Sequence, residues 1–344
     1  MSKVTPTSSR KSDHIRINLE QDVGSGITTG LEHYRFIHSA VPELDIDEID
    51  LKLEVFKRQL NAPLLISSMT GGAPEAQKIN WTLAAAAQET GIAMGLGSQR
   101  AAIDDPELEI TFQVRQVAPD ILLFANLGAV QLNYGYGVEE CQRAVDMIAA
   151  DALILHFNAL QEALQPEGDT RWSGILKKVG AVCRALPVPV IAKEVGWGFS
   201  EQDVRSLVNA GVSAIDVAGA GGTSWSQVEM HRAQDDSQRR LAAAFSDWGI
   251  STSQAILNVR RAAPETLVFA SGGLRSGVDI CKSIALGAAL GGMAGPLLKA
   301  AVNSVEDTIQ TIYEIKREIQ VCMFAAGVGD IDALHRVALM RDDR

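Results

Sequence analysis

The chain has little that would tie it to an oxidising compartment, a nucleic acid or a membrane. It has four cysteines in 344 residues, Cys141, Cys183, Cys281 and Cys322. They are widely scattered and form no Cys-x-x-Cys pair, so neither a disulfide framework nor a cysteine zinc site is indicated, and buried thiols in a reducing cytosol are expected. Positive charge is also short: 31 Lys and Arg against 42 Asp and Glu leave a formal net charge of −11. That argues against a nucleic-acid binder, which needs a basic face, although a few local cations still suffice to hold an anion. No uninterrupted apolar run reaches membrane-spanning length, and the apolar segment 285–294 is too short and too rich in glycine. Residues 1–20 are polar and mixed in charge, without a secretory leader. A cytoplasmic protein with no membrane or nucleic-acid partner is the expectation, and its 47% hydrophobic content can bury a large core.

What the chain does have is a series of short apolar runs. Eight recur, at 63–68, 92–96, 121–125, 152–155, 189–192, 214–217, 267–270 and 289–294. They are nearly continuous in hydrophobicity, as parallel strands covered on both faces are. Helix-like segments separate them, for example 76–90 and 137–149. Ser200 with Asp203, and Ser276 with Asp279, have capping-box spacing, and Asp105-Pro106 places proline at a first helical position. Alternation of strand and helix over this length predicts a (β/α)8 barrel, a single domain over residues 1–344. Residues 1–62 precede the first strand as an arm and capping segment, and the alternating stretch 50–56 suggests a hairpin under the barrel. The longest connection follows the sixth strand, and its polar part, 234–240, reads as a mobile loop. The last stretch, 304–344, reads as helical.

In parallel sheets ligands bind at the carboxyl ends of the strands. The fourth strand ends in His156, Asn158, Gln161 and Glu162, an imidazole, two carboxamides and a carboxylate within seven positions. The first ends in Ser67-Ser-Met-Thr-Gly-Gly72, the second in Gly97-Ser-Gln-Arg100, the third in Asn126, the fifth in Lys193-Glu194 and the sixth in Gly219-Ala-Gly-Gly-Thr-Ser-Trp225. The seventh, Ser271-Gly-Gly-Leu-Arg275, and the eighth, Ala294-Gly295, have the glycines that let backbone N–H groups approach a phosphate, with Arg275 adding charge; the plain alternative is a tight turn. Lys193, at the end of an apolar strand, is either a lysine that snorkels to the rim or a cation beside an electron-rich ring such as a flavin. Thr70, Ser98, Asn126 and Thr223 suit the edges and ribityl chain of the same group. Near the N-terminus, Ser9-Arg10-Lys11-Ser-Asp13-His14 is either a solvated tail or an arm that folds over the mouth and clamps a second phosphate.

Together these residues resemble one family, the type 2, flavin-dependent isopentenyl-diphosphate isomerases. The matching motifs are Arg10-Lys-x-Asp-His14, Met69-Thr-Gly-Gly72, Gly97-Ser-Gln-Arg100, His156-x-Asn-x-x-Gln-Glu162, Lys193-Glu-x-Gly-x-Gly198, Gly219-x-Gly-Gly-Thr-Ser-Trp225, Ser271-Gly-Gly-x-Arg275 and Ala294-Gly295. They span nearly the whole chain in order. The glycine-rich pieces occur widely in FMN-binding barrels, whereas the His-x-Asn-x-x-Gln-Glu block with the N-terminal Arg-Lys is far more specific.

The resemblance implies an FMN-binding barrel that interconverts isopentenyl and dimethylallyl diphosphate without net redox change. It implies Mg2+ on the diphosphate, NADPH or another reductant to bring FMN to its active reduced form, and a tetrameric or octameric homo-oligomer. By motif, Arg10, Lys11, Arg100, Gln161, Trp225 and Glu229 lie with the substrate, and Gln161, His156 and Asn158 take the catalytic places. Glu162 holds Mg2+. Ser68, Met69, Thr70, Ser98, Asn126, Lys193, Thr223, Gly273, Leu274, Arg275, Ala294 and Gly295 surround FMN. Reduced FMN is expected to serve as the acid–base group, through a ring nitrogen, and Gln161, which cannot titrate, to position substrate. Two other readings compete. An FMN-dependent 2-hydroxy-acid oxidase normally needs a histidine base near the seventh strand, and none occurs in 219–225 or 271–275. A non-catalytic flavin-binding protein would not need the substrate-type residues.

Overall fold

Eight short parallel strands close on themselves because each is apolar on both faces and needs cover inside and out. In chain order they are β1 (Leu64–Ile66), β2 (Ala93–Gly95), β3 (Leu123–Gly128), β4 (Ala152–Phe157), β5 (Val190–Glu194), β6 (Ala214–Asp216), β7 (Leu267–Ala270) and β8 (Leu290–Met293). Each pairs with its sequence neighbours, and β8 pairs with β1 to complete the closed barrel. The computed structural model describes residues 6–342, with the backbone alone for residues 6–12 and Pro74. The eight apolar runs of the sequence are the eight barrel strands.

Strand pleat sorts the side chains. Leu64, Ile66, Met94, Leu123, Leu153, Leu155, Ile215 and Val268 face outward into the main core, against the helices. Leu65, Ala93, Phe124, Ile154, Ile191, Ala214, Phe269 and Leu290 face inward and form a separate plug. The expected hairpin closes the bottom of that plug, with strands Leu53–Val55 and Arg58–Leu60 in antiparallel register. Its turn residue Phe56 meets Phe124 and Phe269 edge-on, with centroids 6.3 and 6.1 Å away. Arg58 braces the hairpin on Asp151 at 2.7 Å.

The helix starts follow the local code. Ser200 and Ser276 cap their helices with reciprocal hydrogen bonds to Asp203 and Asp279. Asp105 accepts from the Glu107 N–H at the turn that begins with Pro106. Two expectations are corrected. Within 234–240, residues from Asp236 on belong to a helix, Asp236–Ala243, because Asp235 caps it by accepting from Gln238 N. The C-terminal stretch is not helical to its end: after helices Val305–Ala325 and Ile331–His335, Leu339–Arg341 forms a strand antiparallel to Tyr34–Phe36, joining the two ends of the chain. Among the described residues no helix is long and apolar enough to cross a membrane.

Candidate active site

Above the apolar plug the inward positions turn small and polar. Continuing the same pleat towards the carboxyl ends, the interior receives Ser67, Gly95, Asn126, His156, Lys193, Asp216, Ser271 and Gly292, confirmed in register by pairs such as His156 with Lys193 and Lys193 with Asp216. Lys193 is 7% exposed and Asp216 1%, so the lysine turns into the barrel instead of snorkelling to its rim. Its ammonium lies 3.2 Å from Asp216 Oδ2 and donates to Ser271 Oγ and to the Glu194 carbonyl. Ser271 Oγ donates to Asp216 Oδ1 at 2.6 Å. Across the interior, His156 Nδ1 is 2.8 Å from Asn126 Oδ1. With the amide oxygen facing the ring, Nδ1 carries a proton. Buried Gln99 fixes Asn126 from behind, exchanging backbone and side-chain hydrogen bonds with it.

The flavin implied by the resemblance fits this chamber. Ser67 Oγ and Ser68 Oγ are buried polar atoms with no hydrogen-bond partner, which a burial without a ligand would leave at a cost of about 1–3 kcal/mol each. Glycine keeps their surroundings clear: a Cβ on Gly292 would lie 2.6 Å from Ser67 Oγ, and one on Gly95 2.6 Å from Ser68 Oγ. Gly273, at φ 86°, packs its backbone on Gly221 and Gly222, where a Cβ would come within 2.5 Å. The loops after β6 and β7 are thereby pressed together backbone on backbone. At the mouth, Leu274 is buried and Arg275 exposed. A Cβ on Gly295 would enter open space.

Beside this chamber lies a second polar group, built on the helix Ala159–Leu164 that follows β4. Asn158 Nδ2 donates to Glu162 Oε1 at 2.8 Å and reaches Gln161 Oε1 at 3.3 Å. Glu162 Oε2 accepts the Asp169 N–H at 2.7 Å. The Asp169 side chain in turn holds Arg100 Nη1 at 2.8 Å and Gln131 Nε2 at 2.9 Å. On the other side Gln161 and Gln165 both donate to Glu229 Oε1, and Arg232 Nη1 is 2.5 Å from Glu229 Oε2. Burial pushes the Glu229 carboxyl up, but His14, Arg232 and Gln165 outweigh it and bring it down to about 2. Glu194, next to Lys193 but on the opposite face, behaves differently: burial pushes its carboxyl up to about 7 against the Val195, Gly196 and Trp197 N–H groups that it accepts.

The N-terminal segment is no solvated tail from His14 onward. The helix Pro6–Glu20 lays Ile17 in a small apolar cluster with Val23, Val228 and Trp225. Asn18 accepts from Thr223 Oγ1, and Val23 and Ser25 bond the backbone of the loop after β6. Arg10 and Lys11 lie outside the described side chains.

The structure therefore brings Asn126, His156 and Lys193 into one chamber and Asn158, Gln161, Glu162, Glu229 and, through Asp169, Arg100 into an adjoining network. Trp225 and Thr223, which follow β6, meet the arm. Sequence reading passed over Asp216, although a carboxylate inside the apolar run 214–217 was a visible signal. It also missed Asp169 and Gln165, which lie outside the strand ends and gave none. For Mg2+, no group of three or more His, Cys, Asp or Glu side chains could hold a metal among the described residues. Glu162 fits only as a single carboxylate, an arrangement Mg2+ accepts when phosphates and waters complete its shell.

Comparison with known proteins agrees with this geometry. The model for the family described as FMN-dependent dehydrogenase matches residues 154–341. The chain is 55% identical to an isopentenyl-diphosphate delta-isomerase of Synechocystis sp. over 97% of this chain and 96% of that one. It is 54% identical to the protein of the same name from Nostoc sp., again over 97% and 96%. Among solved structures, mandelate oxidase with (S)-2-phenylpropionate superposes with a TM-score of 0.67 over 97% of both chains at 17% identity, a likeness of fold alone.

Proposed function

The chain belongs to the type 2, FMN-dependent isopentenyl-diphosphate delta-isomerase family, and from that premise we propose that it interconverts isopentenyl and dimethylallyl diphosphate with reduced FMN in the barrel mouth and Mg2+ on the diphosphate. The observation that carries the reading is the adjacency of the two polar groups: β4 sends His156 into the chamber and, two residues on, Asn158 into the network of Gln161 and Glu162. A flavin and a diphosphate substrate need that adjacency.

Moving the double bond requires adding a proton at one carbon and removing one from another, through a transition state with positive charge on carbon. Bound, reduced FMN supplies a ring nitrogen able to exchange a proton and an electron-rich face able to stabilise that charge. Lys193 favours the anionic form of such a ring. His156, held by Asn126 at Nδ1, and Asn158 line the reacting side. Gln161 orients substrate, since a carboxamide neither gains nor loses a proton at neutral pH. Glu162, oriented by Asn158 and the Asp169 N–H, holds Mg2+, while Arg100, Arg10 and Lys11 take the diphosphate. Ser68, Met69, Thr70, Ser98, Thr223, Gly273, Leu274, Arg275, Ala294 and Gly295 frame FMN, and Trp225 and Glu229 border the substrate. NADPH acts only as reductant. A single-domain homo-oligomer, tetramer or octamer, in the cytoplasm completes the reading.

One anaerobic assay tests it: protein, FMN, a reductant, Mg2+ and isopentenyl diphosphate. The allylic isomer should form. Turnover of lactate or glycolate in its place would favour an oxidase, and no turnover of either a binding protein.

A further inference from the structure

The ion pair inside the barrel extends this reading. Lys193 and Asp216 sit on neighbouring strands, both facing the interior, in the polar layer directly above the plug of Phe124, Ile154, Ile191 and Phe269. A buried ion pair is weak as a stabilising device, since packed apolar residues of the same volume do as well or better. Its position needs another reason. An ammonium has three N–H donors. Two are used, by the Glu194 carbonyl at 3.1 Å and Ser271 Oγ at 3.2 Å. The third has no aligned acceptor among the described residues: Asp216 Oδ2, although 3.2 Å away, makes no directed hydrogen bond. Asp216 accepts its directed bonds at Oδ1 instead, from Ser271 Oγ and the Ala218 N–H. The carboxylate thus attracts the ammonium and fixes its place, through charge and through the serine, while leaving one N–H for an acceptor in the chamber.

We propose that Asp216 is a positioning residue for Lys193, and that its charge, balancing the ammonium, sets how strongly the site favours the anionic reduced flavin. A bare cation beside the ring would stabilise that anion more; a neutral pair stabilises it less and keeps the oxidised and reduced forms closer in energy. The inference rests on the flavin reading above.

The test is the midpoint potential of FMN in the holoenzyme. Lys193→Met should shift the flavin equilibrium towards the oxidised form. If it leaves the potential unchanged, the flavin-side placement of Lys193 fails, and Asp216 with it. Given that shift, Asp216→Asn should move the equilibrium the other way by about tenfold or more, about 30 mV upward for a two-electron couple. A carboxylate that serves only packing would leave the potential within about twofold of wild type, which overturns the proposal while the flavin reading stands. Should Asp216→Asn fail to retain FMN, the charge is read in the Lys193→Met background. There the double variant must sit about tenfold further towards the reduced form than Lys193→Met alone, and equal potentials overturn the proposal.

Discussion

His14 Nε2 lies 3.3 Å from Glu229 Oε1, and its ring stands edge-on to Trp225 with centroids 5.0 Å apart. The N-terminal helix is thus fastened to the helix after β6 by the same carboxylate that holds Gln161 and Gln165. One residue therefore touches both the arm and a proposed substrate ligand.

Replacing Glu229 with Gln removes the charge from that junction and leaves Arg232 and His14 without it. A stability loss of about 3 kcal/mol is expected, as for breaking one partner of a buried pair, measurable by urea unfolding. Limited proteolysis should also cut faster before residue 24. An arm as protected as in the parent protein would show that the contact does not hold it.

The same carboxyl has a pH signature. Its folded value of about 2 lies below the ordinary 4.5, so it contributes stability that is complete above about 4.5 and lost as pH falls towards 2. Hydrogen exchange in residues 14–24 should rise through that window in the parent protein, and Glu229→Gln should flatten the dependence.

Asn126 assigns the tautomer of His156. With Asn126→Ala the Nδ1 proton loses that acceptor, and the share of the ring protonated at Nδ1 should fall. Nitrogen-15 NMR of histidine-labelled protein separates the two cases. A ring that stays Nδ1-protonated in the variant would place its orienting partner elsewhere.

Glu162→Gln should raise the Mg2+ concentration needed for half-maximal isomerisation on the order of tenfold or more, while FMN remains bound. Release of the flavin, followed by its absorbance on filtration, would put Glu162 on the wrong side of the pocket.

The hairpin under the barrel turns through Phe56 and Lys57, both with positive φ, 48° and 63°, the backbone of a turn that favours glycine. Phe56 is held there by the two phenylalanines it touches, whereas Lys57 is exposed. Lys57→Gly should therefore stabilise the protein by about 1 kcal/mol, seen as a higher melting temperature. A lower one would mean that the lysine makes a contact worth more than the strain.

By itself the sequence determined the barrel. Eight continuous apolar runs, spaced by capped amphipathic segments, have few other ways to hide both faces of every strand, and His156, Lys193 and Asn126 could be placed at strand ends because strand direction orders them. The helix at Asp236–Ala243 was hidden because a polar surface helix has no apolar stripe to betray it, and the strand at Leu339–Arg341 because its partner lies some three hundred residues earlier. Only the tertiary structure decided the chamber's charge. Asp216 looked like part of an apolar run until the closing of the sheet set it beside Lys193, and Asp169 gained its meaning from a loop that meets Arg100 and Glu162 at once. Pleat and periodicity fix which face a residue takes, but pairing between charges far apart in sequence exists only once the barrel has closed.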